Sequence, residues 1–172
     1  GPLIGTFFAI IISIIGLKLS KFVPIDQAQK GFMLGNSILF SLLVKLVVKT
    51  EPTGQVLMLS PIAFAGWVGL FVTSLNLLPV GHLDGGHIAY SLFERAQKYI
   101  AYPIVGLLIF FGLKYWVGWL VWAALLFIIR LPHPPSLNDV VPITQGQRAI
   151  GILCFVLLIL TFMPAPFVMQ AR

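Results

Sequence analysis

The sequence predicts an all-α fold, a polytopic transmembrane helical domain with about five membrane segments plus one amphipathic or re-entrant segment. Two observations predict it. Hydrophobic residues make up 59% of the 172-residue chain and charged residues 9%, and the mean hydropathy is +1.01. A soluble domain carries roughly a quarter charged residues, so this chain has too little polar surface to cover a globule, and lipid must be its solvent. The apolar residues also come in continuous runs, whereas a membrane β-barrel would show alternating segments of about ten residues. With no fixed-period repeat and no linker, residues 1–172 read as a single membrane-embedded domain, integral and multi-pass.

The net charge of +6 comes from scattered basic residues. Lys18, Lys21, Lys30, Lys45, Lys49, Arg95, Lys98, Lys114, Arg130 and Arg148 stand at the ends of apolar runs, at headgroup level in a bilayer. That pattern points to membrane lipids as partners and to no nucleic acid. The lone Cys154 lies in an apolar run, forms no internal disulfide and reads as a small packing residue.

The first run is Pro2 to Leu17, with Pro2 suited to a helical first turn. Gly1 and Gly5 form a small-xxx-small pair that allows close helix approach. The chain begins inside hydrophobic sequence, with neither the charged start nor the cleavage pattern of a signal peptide, so it is expected to be the C-terminal part of a longer protein. A polar connector, Ser20 to Lys30, follows. The run Gly31 to Val48 is interrupted by Lys45 and reads as a short span or, preferably, as an interfacial or re-entrant segment. Glu51-Pro-Thr-Gly54 marks a turn, and Val56 to Val80 is the clearest span. Pro79 should end or kink it, and the carbonyls it frees need partners inside the protein. Ile88 to Tyr99 reads as an amphipathic helix carrying Glu94, Arg95 and Lys98. Those basic residues place the Asp84 end toward the cytosol by the positive-inside tendency, although Lys18, Lys21 and Lys30 also cluster. Ile100 to Ile129 is too long for one straight crossing and should be a hairpin turning near Gly112 to Gly118. Arg130 to Gln147 is a Pro-rich loop, and Ala149 to Phe162 a final helix closed by Pro164 and Pro166.

Between Glu51 and Asp84 there is no charged residue, and then the chain reads Asn76-Leu-Leu-Pro79-Val-Gly-His82-Leu-Asp84-Gly-Gly-His87. Ionisable groups at the end of an apolar segment mark a functional site by default. Two readings of Asp84 stay open on the residues alone: a metal ligand, since a carboxylate serves zinc beside nitrogen donors, or an N-cap for the helix that follows. Asp84 and His87 would share a helix face, which allows a local metal pair; otherwise His82 and His87 are structural or interfacial. Asn76 is either an interhelical hydrogen-bonding residue or a supporting group for the acid.

These residues carry a resemblance. Asn76-Leu-Leu-Pro79-Val-Gly-His82-Leu-Asp84-Gly85 resembles the Asn-x-x-Pro-x-x-x-x-Asp-Gly motif of the site-2 proteases, zinc metalloproteases that cut substrates inside the membrane. Gly1-Pro2-Leu3-Ile4-Gly5 resembles the Gly-Pro segment that opens a helix between the two catalytic motifs of that family, and the His133-Pro-Pro loop and Pro164-Ala-Pro166 resemble its C-terminal part. The resemblance implies that Asp84 is the third ligand of one zinc ion, and that Asn76 is a catalytic residue bonding the substrate backbone or the developing oxyanion. Pro79 and Gly85 would shape the helix break, and the substrate would be a transmembrane protein. In this family a His-Glu-x-x-His motif supplies the other two ligands and the general base. The only His residues here are His82, His87 and His133 and the only Glu residues Glu51 and Glu94, so that motif is absent. The remaining ligands are expected upstream, and the chain alone should not hydrolyse peptides.

Three functions therefore compete. The first is part of an intramembrane zinc metalloendopeptidase, with Gly31 to Val48 as a candidate for handling the substrate. The second is a non-catalytic site-2-protease-like scaffold that binds transmembrane helices. The third is a transporter or proton pathway through Asp84, which would call for further polar residues along a path.

Overall fold

The computed structural model describes residues 1–25, 33–48, 52–93, 96–128 and 143–168. Seven helices lie among them: α1 (Pro2–Lys18), α2 (Ile38–Val47), α3 (Pro61–Asn76), α4 (Asp84–Phe93), α5 (Gln97–Lys114), α6 (Gly118–Ile128) and α7 (Gln145–Thr161). Four short strands accompany them: β1 (Lys21–Pro24), β2 (Met33–Leu34), β3 (Gln55–Met58) and β4 (Phe167–Val168). The fold is predominantly helical, as expected, but the small strands were not. Among the described residues no helix is long and apolar enough to cross a membrane. At about 1.5 Å per residue, the 17 residues of α1 or α7 reach roughly 25 Å against a hydrocarbon thickness of about 30 Å. The polytopic part of the expectation thus rests on composition. Two compact units divide the chain: Leu3–Thr73 with the segment from Leu160 onward, and Ser74–Ile159.

In the first unit, α1 and α3 run antiparallel along a seam of small residues. Gly5 lies against Thr73, Ala9 against Gly69, Ser13 against Gly66, and Gly16 against Ala63. A side chain on Gly16 would collide with the main chain of Ala63, and one on Gly66 with Ser13. Spacings of three and four residues put each set on one helix face, and removing side chains brings the two backbones together. Hydroxyls close the seam at one end. The Gly16 carbonyl accepts from Ser20 Oγ at 2.9 Å and Ser60 Oγ at 2.7 Å. Ser60 Oγ in turn accepts the Ala63 N–H at 3.1 Å, which caps α3.

The expected span Val56 to Val80 is in fact two elements. Gln55–Met58 forms strand β3, antiparallel to β1, with Phe22 opposite Leu57 and Val23 opposite Val56. Pro61 explains the split: it disfavours helix in the residue before it while fitting the first turn after it. The expected connector Ser20 to Lys30 contains β1, and Asp26 and Lys30 lie outside the described residues. Gly31 to Val48 resolves into β2, paired with β4, and the 10-residue α2. A helix of that length covers about 15 Å, which removes the short-span reading. Ser37 caps it, accepting the Phe40 N–H at 3.1 Å.

Trp67 is fully buried at the centre of this unit, with Leu17, Phe40, Leu70 and Met163 in the same core. Its ring lies 5.8 Å from Phe64, 5.7 Å from Phe71 and 5.6 Å from Phe167. Its indole N–H donates to the Gly35 carbonyl at 2.7 Å, and the Gly35 N–H donates to the Pro166 carbonyl at 2.9 Å. One side chain thus ties α3 to the β2–β4 pair.

In the second unit the α5–α6 hairpin turns at residues 115–117, inside the expected Gly112–Gly118 window. Gly112 admits Leu120 across it, and Trp116 and Trp119 meet edge to face at 5.8 Å. Of the amphipathic helix expected over Ile88 to Tyr99, α4 contains residues 88–93 and α5 residues 97–99, and the Gln97 amide bonds a buried partner. Glu94 and Arg95 lie outside the described residues, as do Ile129 at the end of the expected hairpin and residues 130–142 of the Pro-rich loop. The last helix starts at Gln145 rather than Ala149, because Thr144 and Gln147 form a capping box. Gln147 Oε1 accepts the Thr144 N–H at 2.8 Å, and Thr144 Oγ1 accepts the Gln147 N–H at 3.3 Å. Gly151 of α7 packs on Ile88 and Leu92 of α4, and Cys154 is buried, as a packing residue would be.

The seam yields a paired prediction. Gly16→Ala places a methyl group in backbone and should destabilise by about 3 kcal/mol, the upper part of the overpacking range. Gly106→Ala enters open space within α5 and should stabilise by up to about 1 kcal/mol through helix propensity. Unfolding midpoints of the two variants and the parent, under one set of conditions, check both signs.

Candidate metal centre

The candidate residues lie in the second unit, around the break between the last residues of α3 and the start of α4. Helix α3 ends at Asn76 and α4 begins at Asp84. The sequence accounts for the break: Pro79 has no N–H to donate to the turn before it, and Gly81 takes φ +56, a left-handed conformation that glycine adopts freely. Local bonds shape the turn, with the Val80 N–H donating to the Leu78 carbonyl at 2.8 Å and the Leu83 N–H to the Val80 carbonyl at 3.3 Å.

Two glycines let α4 start directly beneath this turn. A side chain on Gly85 would strike the Leu77 and Leu78 carbonyls, and one on Gly86 the Gly81 and Val80 carbonyls. Both contacts are main chain against main chain, so no rotamer change relieves them. The Pro79 carbonyl, which a continuous helix would have used, accepts a hydrogen bond from Gln97 Nε2 at 3.3 Å in a buried setting. Sequence reasoning anticipated that such carbonyls need partners but missed Gln97; its visible trace was an amide at the head of an otherwise apolar run.

Burial separates framework from chemistry. Leu75, Leu77, Leu78, Pro79, Val80, Gly81, Gly85 and Gly86 are buried, whereas Asn76, His82, Asp84 and His87 are exposed. Every polar candidate of the motif therefore faces outward from a rigid apolar support. The cap reading of Asp84 gives way here. The His87 N–H bonds the Leu83 carbonyl at 3.1 Å, which puts Leu83 at the cap position and Asp84 in the first helical turn. A carboxylate is well placed there against the positive end of the helix dipole, with its oxygens open to a further ligand. Asn76 and Asp84 flank the same break, and His82 and His87 sit beside Asp84 in sequence. Among the described residues, however, no group of three or more His, Cys, Asp or Glu side chains assembles that could hold a metal ion.

Zinc takes carboxylate oxygen and imidazole nitrogen in tetrahedral sites. The exposed Asp84 carboxylate in the first turn of α4 has the donor chemistry for one position of such a site, and Asn76, also exposed, closes the helix before the break. His133, the remaining histidine, lies outside the described residues.

Comparison with known proteins places this geometry in a family. The chain matches the model of Peptidase family M50 over residues 1–113, a span that contains the whole motif. It is 28% identical to the probable zinc metalloprotease EGY2, chloroplastic, of Arabidopsis thaliana over 174 residues, covering 97% of this chain and 30% of that protein. Identity to the probable zinc metalloprotease EGY1, chloroplastic, of the same plant is 31% over 174 residues, covering 95% of this chain and 31% of that protein. The probable zinc metallopeptidase EGY3, chloroplastic, of Arabidopsis thaliana is 37% identical over 106 residues, 60% of this chain and 18% of that protein. The chain spans under a third of the length of these relatives. No solved structure matches it. With its Asn76-to-Gly85 motif inside the matched region, the chain belongs to Peptidase family M50, the site-2 protease family.

Proposed function

We propose that this chain is the part of an intramembrane zinc metalloendopeptidase that supplies the third zinc ligand, Asp84, for hydrolysis of peptide bonds in transmembrane protein substrates. The observation that carries the reading is the separation at the helix break. Asn76 and Asp84 are exposed at its two ends, while Leu77 to Gly81 between them are buried, with Gly85 and Gly86 packed on that backbone. Catalytic groups on rigid elements keep their geometry better than groups on loops.

When bound, zinc supplies Lewis-acid polarisation and makes water acidic enough to act as a nucleophile near neutral pH. The residues of this chain do the rest of their share. Asp84 holds one coordination position. The Asn76 carboxamide donates a hydrogen bond to the substrate backbone or to the oxygen on which negative charge develops. Pro79 and Gly85 keep the intervening backbone out of the way of an extended peptide. The other two ligands and the general base are contributed by sequence beyond these 172 residues, in keeping with the fraction of the relatives that the chain spans.

An integral, multi-pass membrane location and membrane lipids as the surrounding solvent complete the reading. Support comes from the exposed apolar surface: Phe7, Phe8 and Ile15 on α1, Phe127 and Ile128 on α6, and Ile159 on α7 are each at least half exposed. Bare apolar area of that extent is tolerated in lipid and costly in water.

The test uses the intact protein in a membrane, with a membrane-embedded helix as substrate. Chelation should abolish cleavage and zinc should restore it. Asp84→Ala should reduce cleavage to background while shifting stability by no more than about 0.5 kcal/mol, because the side chain is exposed; full activity in that variant would overturn the proposal. Asn76→Ala should lower kcat roughly 10²- to 10³-fold, the loss typical of one oxyanion donor, with zinc content unchanged.

A further inference from the structure

Gln97 holds a position that packing alone does not explain. It opens α5 and is 2% exposed, on the same helix face as the buried Ala101, Val105 and Leu108. An apolar side chain would complete that face at lower desolvation cost. Its amide instead reaches back 18 residues and donates to the Pro79 carbonyl at 3.3 Å. Pro79 is the middle of the break that separates Asn76 from Asp84, where the Leu78 N–H bonds the Leu75 carbonyl, the Val80 N–H the Leu78 carbonyl and the Leu83 N–H the Val80 carbonyl, all near neighbours. The Gln97 bond therefore anchors the break to a different helix, one that is braced in turn by its hairpin with α6.

We infer that Gln97 is a positioning residue, whose hydrogen bond to the Pro79 carbonyl sets how Asp84 is presented relative to Asn76. The inference rests on the zinc-protease reading of those two residues. Gln97 touches neither substrate nor metal; it acts through Pro79. A rotation at the break, pivoting about Gly81, would swing the first turn of α4 and with it the Asp84 carboxylate. The buried amide resists that rotation by adding a fixed donor to a carbonyl with no helical partner. Groups that orient a ligand from behind commonly matter roughly 10- to 100-fold in activity or metal affinity.

Gln97→Met tests this in the intact, zinc-loaded protein, since methionine keeps the length and removes the donor. The expected result has three parts. Amide hydrogen exchange accelerates across Leu77 to Leu83 and not elsewhere. Zinc is lost to a chelator roughly 10-fold faster or more, and kcat falls roughly 10- to 100-fold with KM changed little. Faster exchange with unchanged zinc release and unchanged kcat would mean that the bond only holds the fold, and the inference fails. Unchanged exchange at Leu77 to Leu83 also overturns it. Should the Met variant not fold, Gln97→Glu keeps the shape and must show the same three changes in its folded fraction. Failure of the underlying reading would look different: Asp84→Ala would retain full cleavage whatever Gln97 does to exchange at the break.

Discussion

Main chain packed directly on main chain is the constraint around which this protein is built. At Gly16 the neighbour is the Ala63 backbone, at Gly35 it is the Ala165 carbonyl, and at Gly85 it is the Leu77 carbonyl. None of these sites has a flexible side chain that could yield, so a methyl group at any of them would move helices or strands. Protein interiors tolerate little excess volume. The α1–α3 seam, the junction of β2 with the C-terminal segment and the start of α4 under the broken helix all follow from it.

Close backbone approach has a second consequence. It brings carbonyls into apolar surroundings, where an unmet acceptor costs about 1–3 kcal/mol. The polar side chains inside this chain meet them. Ser20 and Ser60 serve Gly16, Thr73 serves Gly69, Trp67 serves Gly35, and Gln97 serves Pro79. In a sequence with 9% charged residues, each of these donors is assigned to a place where the helix ends, bends or approaches another segment. Ser13 Oγ is the exception among the described residues, buried in the seam with no partner.

The motif shows the same division of labour at the site. Pro79, Gly81, Gly85 and Gly86 are consumed in shaping the backbone, and Leu77, Leu78 and Val80 in burying it. Asn76 and Asp84 are left to face outward. Glycine contacts hold the start of α4 against the turn before it, and the Gln97 amide bonds the Pro79 carbonyl within that turn.

What the sequence determined by itself is what short-range chemistry dictates. The length of α1, the hairpin turn near Tyr115 and the end of α3 ahead of Pro79 all follow from residues within a few positions of one another, as does the motif that singles out Asn76 and Asp84 as candidates. The capping box at Thr144 and Gln147 was equally local and equally readable, although the expected start at Ala149 passed over it. The tertiary structure decided the rest. Gln55–Met58 is a strand because Lys21–Pro24 is there to pair with it; Pro61 marks locally where the next helix can begin, but no local pattern names the distant partner. Gln97 answers to a carbonyl 18 residues away, and the small residues of α1 answer to those of α3. Asp84 stands exposed in the first turn of α4 and not at its cap, because the Leu83 carbonyl accepts the first helical bond. Periodicity and turn chemistry act through neighbouring bonds, whereas pairing, burial and hydrogen-bond satisfaction depend on which distant backbone arrives alongside.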